Sequence, residues 1–89
     1  MTAIVVGTLE SSDCMITLSA SDTLKIDLES IVYDAFHAQI TQVIKKTLQK
    51  EGLHNVRVLC QDKGALDYTI EARMKTAIAK YREANEDES

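Results

Sequence analysis

Residues 23–52, TLKIDLESIVYDAFHAQITQVIKKTLQKEG, change hydropathy period once, and that change decides the fold class. Leu24, Ile26 and Leu28 alternate with polar residues, which predicts a half-buried strand over residues 23–29. After Ser30 the apolar residues recur at spacings of three and four, which predicts an amphipathic helix with Ser30 as its N-cap. Gly52 is typical of the left-handed residue that follows a helix. The predicted apolar stripe of this helix is Val32, Phe36, Ile40, Val43 or Ile44, and Leu48.

The flanking segments complete an α+β chain. β-Branched and alternating patterns predict strands over residues 3–9, 13–19 and 55–61, and Gly7 within the first of them is typical of a bulge. A second helix is predicted over residues 65–82, with the stripe Leu66, Ile70, Met74, Ala77 with Ile78, and Tyr81. Two amphipathic helices and four strands share a core most simply as a two-layer sandwich in the order β-β-β-α-β-α. The polar residues 10–13 then connect an N-terminal hairpin.

The length of 89 residues suits one domain. We expect a single domain over residues 1–83 and an acidic, disordered tail over residues 84–89.

The charge balance disfavours two classes of partner. Ten basic and fourteen acidic residues give a net charge of −4, which is unlike that of a nucleic-acid or membrane-surface binder. No apolar run reaches the roughly 20 residues of a membrane span, and the N-terminus does not resemble a secretory signal. The expected location is the cytoplasm.

Neither histidine nor cysteine predicts a metal or a nucleophile. His37 and His54 belong to no metal-binding motif and are interpreted as surface or turn residues. Cys14 and Cys60 fall on the apolar faces of predicted strands, where free cysteine acts as a small hydrophobe. No phosphate-binding, dinucleotide-binding or hydrolase motif is present in the sequence, so a stand-alone enzyme is disfavoured.

The segment Glu10-Ser11-Ser12-Asp13 has two interpretations. Serine and aspartate commonly satisfy backbone groups in turns, which is a purely structural role. A hydroxyl at a hairpin tip is also exposed on a rigid support, where another enzyme can modify it. Because a serine beside two carboxylates lacks a suitable base, the groups that activate it have to come from that enzyme.

Asp62-Lys63-Gly64-Ala65 loosely resembles the modified-lysine turn of lipoyl and biotinyl domains. Those domains are all-β, whereas a helix is predicted to follow here, so a swinging lysine is disfavoured. Capping of the second helix by Asp62 is the favoured interpretation.

Together, these two segments resemble one known family. Val6-Gly7-Thr8-Leu9-Glu10-Ser11-Ser12-Asp13 is similar to the G-T-L-E-S-G-D segment of the citrate lyase acyl carrier protein, the gamma subunit. Asp62-Lys63-Gly64-Ala65-Leu66-Asp67 with Ala72-Arg73 is similar to its D-K-G-A-L-D…A-R block, and Asp22-Thr23 with Ile26-Asp27-Leu28 to its D-T…I-D-L stretch. The similarity extends from about residue 3 to residue 80.

The resemblance implies a non-catalytic carrier subunit of a bacterial citrate lyase. In that family a 2′-(5″-phosphoribosyl)-3′-dephospho-coenzyme A group is joined by a phosphodiester to the serine after glutamate, which is Ser11 here. Its thiol carries acetyl and citryl groups while citrate is cleaved to acetate and oxaloacetate. The implied partners are the alpha subunit (acyl transferase), the beta subunit (citryl lyase) and a dedicated transferase that attaches the arm.

One residue departs from the family pattern. Ser12 stands where the family has glycine, and serine does not tolerate positive φ as glycine does, so the turn geometry stays open. Ser12 is therefore the lesser candidate for attachment. We expect Glu10 and Asp13 to point away from the new phosphodiester or to be recognised by the transferase.

Two alternatives remain. The malonate decarboxylase carrier also resembles this chain around a G-S-G-D turn and bears the same arm. An unmodified interaction module, docking through its acidic tail and strand edges, is the other. Phosphopantetheine carriers are disfavoured, because they are all-helical and place a D-S-L serine at a helix start.

Overall fold

Within residues 3–85, four strands and two helices form in the order that the hydropathy periods predict. The computed structural model describes residues 3–85. The elements are β1 (Ile4–Gly7), β2 (Cys14–Ala20), β3 (Lys25–Ser30), α1 (Tyr33–Glu51), β4 (Val56–Asp62) and α2 (Asp67–Asn85). The predicted α+β class and the β-β-β-α-β-α order are confirmed.

The four strands form one mixed sheet in the order β1-β2-β4-β3. β1 and β2 are an antiparallel hairpin, β2 and β4 are antiparallel, and β3 and β4 are parallel. A parallel pair needs a crossover connection, and α1 supplies it. In the register, Gly7 pairs with Met15 and Cys14 pairs with Asp62. The end of β1, the start of β2 and the end of β4 therefore meet at one end of the sheet.

The core lies between one face of the sheet and the two helices, as the two-layer prediction requires. Alternation places Cys14, Ile16 and Leu18 of β2 inward, and β4 buries alternate residues in the same way. Both cysteines are free and fully buried, which confirms their interpretation as core residues. The helices contribute Ile40, Ile44, Leu48, Ile70, Met74, Ala77 and Ile78.

The start of each helix differs from the prediction. Ser30 is the last residue of β3, and α1 begins at Tyr33 after Val32 with no side-chain cap, so the N-cap prediction was wrong. Phe36 and Leu66 belong to the predicted apolar stripes, yet they are 47% and 59% exposed. The stripes are buried only from Ile40 and Ile70 onward.

The helix ends follow the sequence more closely. Gly52 adopts φ +67°, its N–H donates to the Gln49 carbonyl oxygen, and the N–H of Leu53 donates to the Leu48 carbonyl oxygen, which confirms the left-handed cap. α2 continues to Asn85, so residues 84 and 85 are helical. Residues 86–89 of the expected tail lie outside the described residues. Within the described residues, neither helix is long and apolar enough to cross a membrane.

Candidate functional site

The hairpin tip is a four-residue turn that holds both candidate serines. The N–H of Asp13 donates to the carbonyl oxygen of Glu10 at 3.1 Å, which closes the turn over Ser11 and Ser12. Both serines are exposed, and within residues 3–85 neither hydroxyl has a hydrogen-bond partner. The turn therefore presents two accessible hydroxyl groups at the tip of paired strands.

Ser12 keeps the conformation that glycine would favour. Its φ is +67°, and it is the one non-glycine residue with positive φ in residues 3–85. A positive φ at the third position of a turn is the type II pattern, in which glycine is preferred. Ser12 thus occupies a conformation that favours glycine, at the expense of local strain.

Asp13 locks the base of the turn. Its carboxylate accepts from Arg73 Nη2 at 2.7 Å and Nε at 3.1 Å, from Thr8 Oγ1 at 2.7 Å, and from the N–H of Cys14 at 2.7 Å. Thr8 Oγ1 in turn accepts from the N–H of Glu10 at 3.2 Å. Asp13 therefore ties the turn to α2.

These contacts stabilise the ionised form of Asp13. The two-pronged hydrogen bond from Arg73, with help from Thr8 and the Cys14 N–H, lowers the pKa of Asp13 from 3.8 to about 2 against the opposing effect of burial. Hydrogen bonding to Asp13 also raises the pKa of Arg73. The pair stays charged over the whole physiological range.

A second support for the turn comes from the loop between β4 and α2. The N–H of Ser12 donates to the Lys63 carbonyl oxygen at 2.8 Å, and the N–H of Lys63 donates to the Asp13 carbonyl oxygen at 2.9 Å. The segments Glu10–Asp13 and Asp62–Ala65 are therefore joined through their main chains. Lys63 acts here through its backbone.

The side chain of Asp62 holds the loop between β4 and α2 in place. Its carboxylate is buried and accepts from Ser30 Oγ at 2.7 Å and from the N–H of Ala65 at 2.9 Å. Since α2 begins at Asp67, the prediction that Asp62 caps this helix was wrong. It closes a turn before the helix and connects that turn to the end of β3. Ser30 Oγ also accepts from the N–H of Val32 at 3.1 Å, but α1 begins only at Tyr33, so this contact lies before the helix.

Sequence reasoning missed two contributors to this site. Arg73 is 60 positions from Asp13, and its one signal was the A-R pair in the family-like block. The prediction of a bulge at Gly7 was wrong, because the β1–β2 register is continuous through this residue. Gly7 instead adopts φ +100° where the chain turns away from the strand, close against Cys14 and Arg73.

The other candidate residues lie apart from the turn. His37 and His54 are exposed, as predicted, and His37 stacks on Tyr33 with its Nδ1 atom 3.0 Å from the Tyr33 carbonyl oxygen. Cys60 is buried beside Cys14, and both this contact and burial raise the pKa of the Cys60 thiol. Across the part of the chain that the structure describes, no group of three potential metal ligands occurs.

Relieving the strain at Ser12 should stabilise the protein. We expect Ser12→Gly to raise the free energy of unfolding by roughly 0.5–1 kcal/mol, because the left-handed penalty outweighs the greater chain entropy of glycine. Ser12→Ala is the matched control and should stay within about 0.5 kcal/mol of wild type. Urea unfolding measures both, and equal midpoints for the two variants would contradict strain at this position.

The Arg73–Asp13 pair should make the stability of the fold depend on pH in the acid range. Because its pKa is lower in the folded state than the ordinary 3.8, Asp13 contributes stability that is complete above about pH 4 and is lost as the pH falls toward 2. Arg73→Met should lower the unfolding midpoint at neutral pH, and its difference from wild type should shrink between pH 4 and pH 2. Urea titrations across this range check the prediction.

Lys75→Met is the control for Arg73→Met. It removes the exposed Lys75–Glu71 pair, whose atoms are 2.9 Å apart, and exposed pairs of this kind contribute little. A constant difference between Arg73→Met and wild type down to pH 2 would show that Asp13 is not the titrating partner.

Comparison with known proteins gives consistent matches over nearly the whole chain. Residues 1–81 match a family model described as ACP, malonate decarboxylase delta subunit. The chain is 50% identical over 86 residues to the citrate lyase acyl carrier protein of Lactobacillus acidophilus, covering 96% of this chain and 89% of that protein. It is 43% identical over 82 residues to the protein of the same name from Treponema denticola, covering 92% and 91%. A third such protein, from Lactiplantibacillus plantarum, is 54% identical over 77 residues, covering 85% and 80%.

Proposed function

This chain belongs to the citrate lyase acyl carrier protein family, and from that membership we propose that it is the acyl carrier subunit of a citrate lyase, modified on Ser11. One structural observation carries the assignment of the site. The Glu10–Asp13 turn presents the Ser11 hydroxyl to solvent while Arg73 and the Lys63 backbone hold the turn from two sides. A carrier needs such a fixed anchor with an accessible atom.

The proposed prosthetic group is 2′-(5″-phosphoribosyl)-3′-dephospho-coenzyme A, attached by a phosphodiester. The turn fits such a group, since Ser11 is exposed and the neighbouring Asp13 charge is already engaged by Arg73. When bound, the group supplies a thiol that carries the acetyl and citryl groups. The chain's own part is to bear the ester on Ser11 Oγ and to keep the anchor rigid.

Attachment requires chemistry from a partner enzyme. Ser11 Oγ forms a bond to phosphorus of a phosphoric anhydride donor, the bond from that phosphorus to its leaving group breaks, and the hydroxyl proton passes to a base of the transferase. Within residues 3–85 the Ser11 hydroxyl bonds to neither Glu10 nor Asp13, and Asp13 is held by Arg73, so neither carboxylate is arranged as that base. The carrier is thus a substrate of the transferase.

Ser11 is favoured over Ser12 for a geometric reason. The N–H of Ser12 is bound to Lys63, and its backbone lies in the strained left-handed region. Entry of Ser12 into an active site would disturb that contact, whereas within residues 3–85 Ser11 makes no backbone hydrogen bond that would have to break.

The proposed partners are the alpha subunit, which exchanges acetyl for citryl, and the beta subunit, which releases oxaloacetate. A tethered acyl group reaches both active sites at high effective concentration, so one carrier serves two reactions. The surrounding compartment would be the cytoplasm.

A malonate decarboxylase carrier is the second candidate, and the description of the matched family model favours it. The curated relatives of 43–54% identity are named for citrate lyase, which favours the first candidate. The two differ in the catalytic subunits with which the carrier assembles.

Purification of the chain from its native host separates these candidates. We expect it to copurify with subunits that cleave citrate to acetate and oxaloacetate, and removal of the carrier should abolish that activity. Copurification with a malonate-dependent decarboxylating complex would favour the second candidate, and an unmodified chain with no catalytic partner would contradict both.

A further inference from the structure

The edge of the molecule that carries the Ser11 turn also carries most of its exposed apolar side chains. Eight large hydrophobic side chains are exposed within residues 3–85, and six of them lie at this edge. These six, here called the apolar edge, are Leu9, Ile31, Tyr33, Phe36, Leu66 and Tyr68. Ile31 and Tyr68 are the most exposed, at 66% and 70%. A concentration of this kind marks an interaction surface.

Two of these residues lie at the exposed starts of the helix stripes. Phe36 and Leu66 continue the apolar faces of α1 and α2 past the region where the sheet buries them. Between the helix starts they line a groove of about 470 Å³, whose wall includes Tyr68. The apolar periodicity that elsewhere makes the core is here open to solvent.

The apolar edge is continuous with the Ser11 turn. The N–H of Ser12 is 2.8 Å from the Lys63 carbonyl oxygen, and Gly64 follows directly. A Cβ atom at Gly64 would lie 3.6 Å from Ile31 Cδ1. Leu9 and Ile31 share a shallow depression with Lys63, so the surface runs without a break from the hairpin to the groove.

The border of this surface is acidic. Glu29 lies in the depression beside Leu9, Asp34 lies in a hollow with Ile31, and Asp67 lines the groove. Glu10 is in the turn itself, and Lys63 is the cation among them. An enzyme that binds a phosphate-rich donor needs a cationic active-site entrance, and that entrance complements an acidic border.

We propose that the apolar edge is the docking surface for the transferase that loads Ser11, an inference that rests on the function proposed above. The Ser11 oxygen must come within bonding distance of the donor phosphorus, so this enzyme has to cover the surface around the turn. A specific interface buries about 800 Å² per partner. A turn of four residues cannot supply that area, and the apolar edge beside it can.

Leu66→Ser and Tyr68→Ser test the proposal. Both side chains are exposed, and the Leu66 carbonyl oxygen accepts from the N–H groups of Thr69 and Ile70, which places Leu66 at the N-cap, where serine is favourable. Each variant should therefore fold with an unchanged thermal midpoint. With purified transferase and donor, the loading rate followed by intact mass should fall about tenfold or more in kcat/KM, mainly through KM. Calorimetry should show the same weakening of binding between the unmodified chain and the transferase.

Leu24→Ser is the matched control. Leu24 is also exposed, at 40%, but it precedes the start of β3, at the opposite end of the sheet from the Ser11 turn. Its loading and binding should equal those of wild type. If wild type is loaded on Ser11 while Leu66→Ser and Tyr68→Ser load at the wild-type rate, the docking proposal is overturned and the carrier function stands.

Two further outcomes also count against the proposal. Normal loading of the two variants followed by slow citrate cleavage would assign the apolar edge to a catalytic subunit. Failure of the wild-type chain to accept the arm would overturn the carrier function together with the docking surface.

Discussion

Replacing Ser11 with alanine should abolish attachment of the arm and, with it, citrate cleavage by the reconstituted complex. The substitution removes the oxygen that forms the phosphodiester, so no residual modification at that position is possible. Ser11 is exposed and its hydroxyl has no hydrogen-bond partner within residues 3–85, so the fold should be unchanged. Coexpression with the transferase, followed by intact mass, measures the loss.

Ser12→Ala is the control for this prediction. It keeps a Cβ atom in the same left-handed position, φ +67°, and removes only the second hydroxyl. We expect it to be loaded at close to the wild-type level. If an adduct persists in Ser11→Ala and disappears in Ser12→Ala, the assignment moves to Ser12.

Gly7→Ala should cause the largest loss of stability that one methyl group can cause here. A Cβ atom at Gly7 would lie 2.0 Å from the Cys14 carbonyl oxygen and 3.3 Å from Arg73 Nε, and the backbone adopts φ +100°. Because the clash is with main chain, β1 or β2 has to move. The expected loss is about 3 kcal/mol or more, a large share of the roughly 5–15 kcal/mol that stabilises a native protein.

Gly52→Ala separates the clash from the effect of positive φ. Gly52 also has a left-handed backbone, φ +67°, but a Cβ atom there would meet nothing within 4 Å. Its loss should be about 1 kcal/mol, which is the conformational penalty alone. Urea unfolding measures both variants, and similar losses would show that the hairpin accommodates a side chain at Gly7.

Gly7→Ala should also reduce loading of Ser11 in any fraction that folds. The same methyl group displaces the strand end and the Arg73 side chain, both of which hold the turn. Ser12→Gly, which relaxes the turn without moving it, should load normally. A difference between these variants would tie modification to the position of the turn.

The element order was predictable because each element carries a strong period. Alternation in residues 23–29 and the helical spacing after Ser30 identify β3 and α1 without tertiary information. The β1–β2 hairpin followed from two apolar runs around a polar tetrad. The family-like segments then pointed to Ser11.

The contacts that hold the site were not predictable from local pattern. Arg73 and Asp13 are 60 residues apart, and a single sequence gives no reason to pair them. Asp62 looked like a helix cap, because a local pattern cannot show that its carboxylate is shared between Ser30 and Ala65. Ser12 adopts positive φ because the Lys63 contact and the Glu10–Asp13 closure over-determine the turn.

Phe36 and Leu66 show a different limit. Helical periodicity identifies an apolar face but does not say how far the sheet beneath it extends. Here burial begins two turns into α1, and the uncovered start of the helix is part of the apolar edge. These two departures from the predicted core are the residues on which the docking proposal depends.

Peptide mass mapping of the chain purified from its native host tests the central claim most directly. We predict that the peptide containing Glu10–Asp13 carries one added nucleotide-sized phosphodiester, and that fragmentation places it on Ser11. A native preparation that is fully active in citrate cleavage but carries no modification on that peptide would contradict the account.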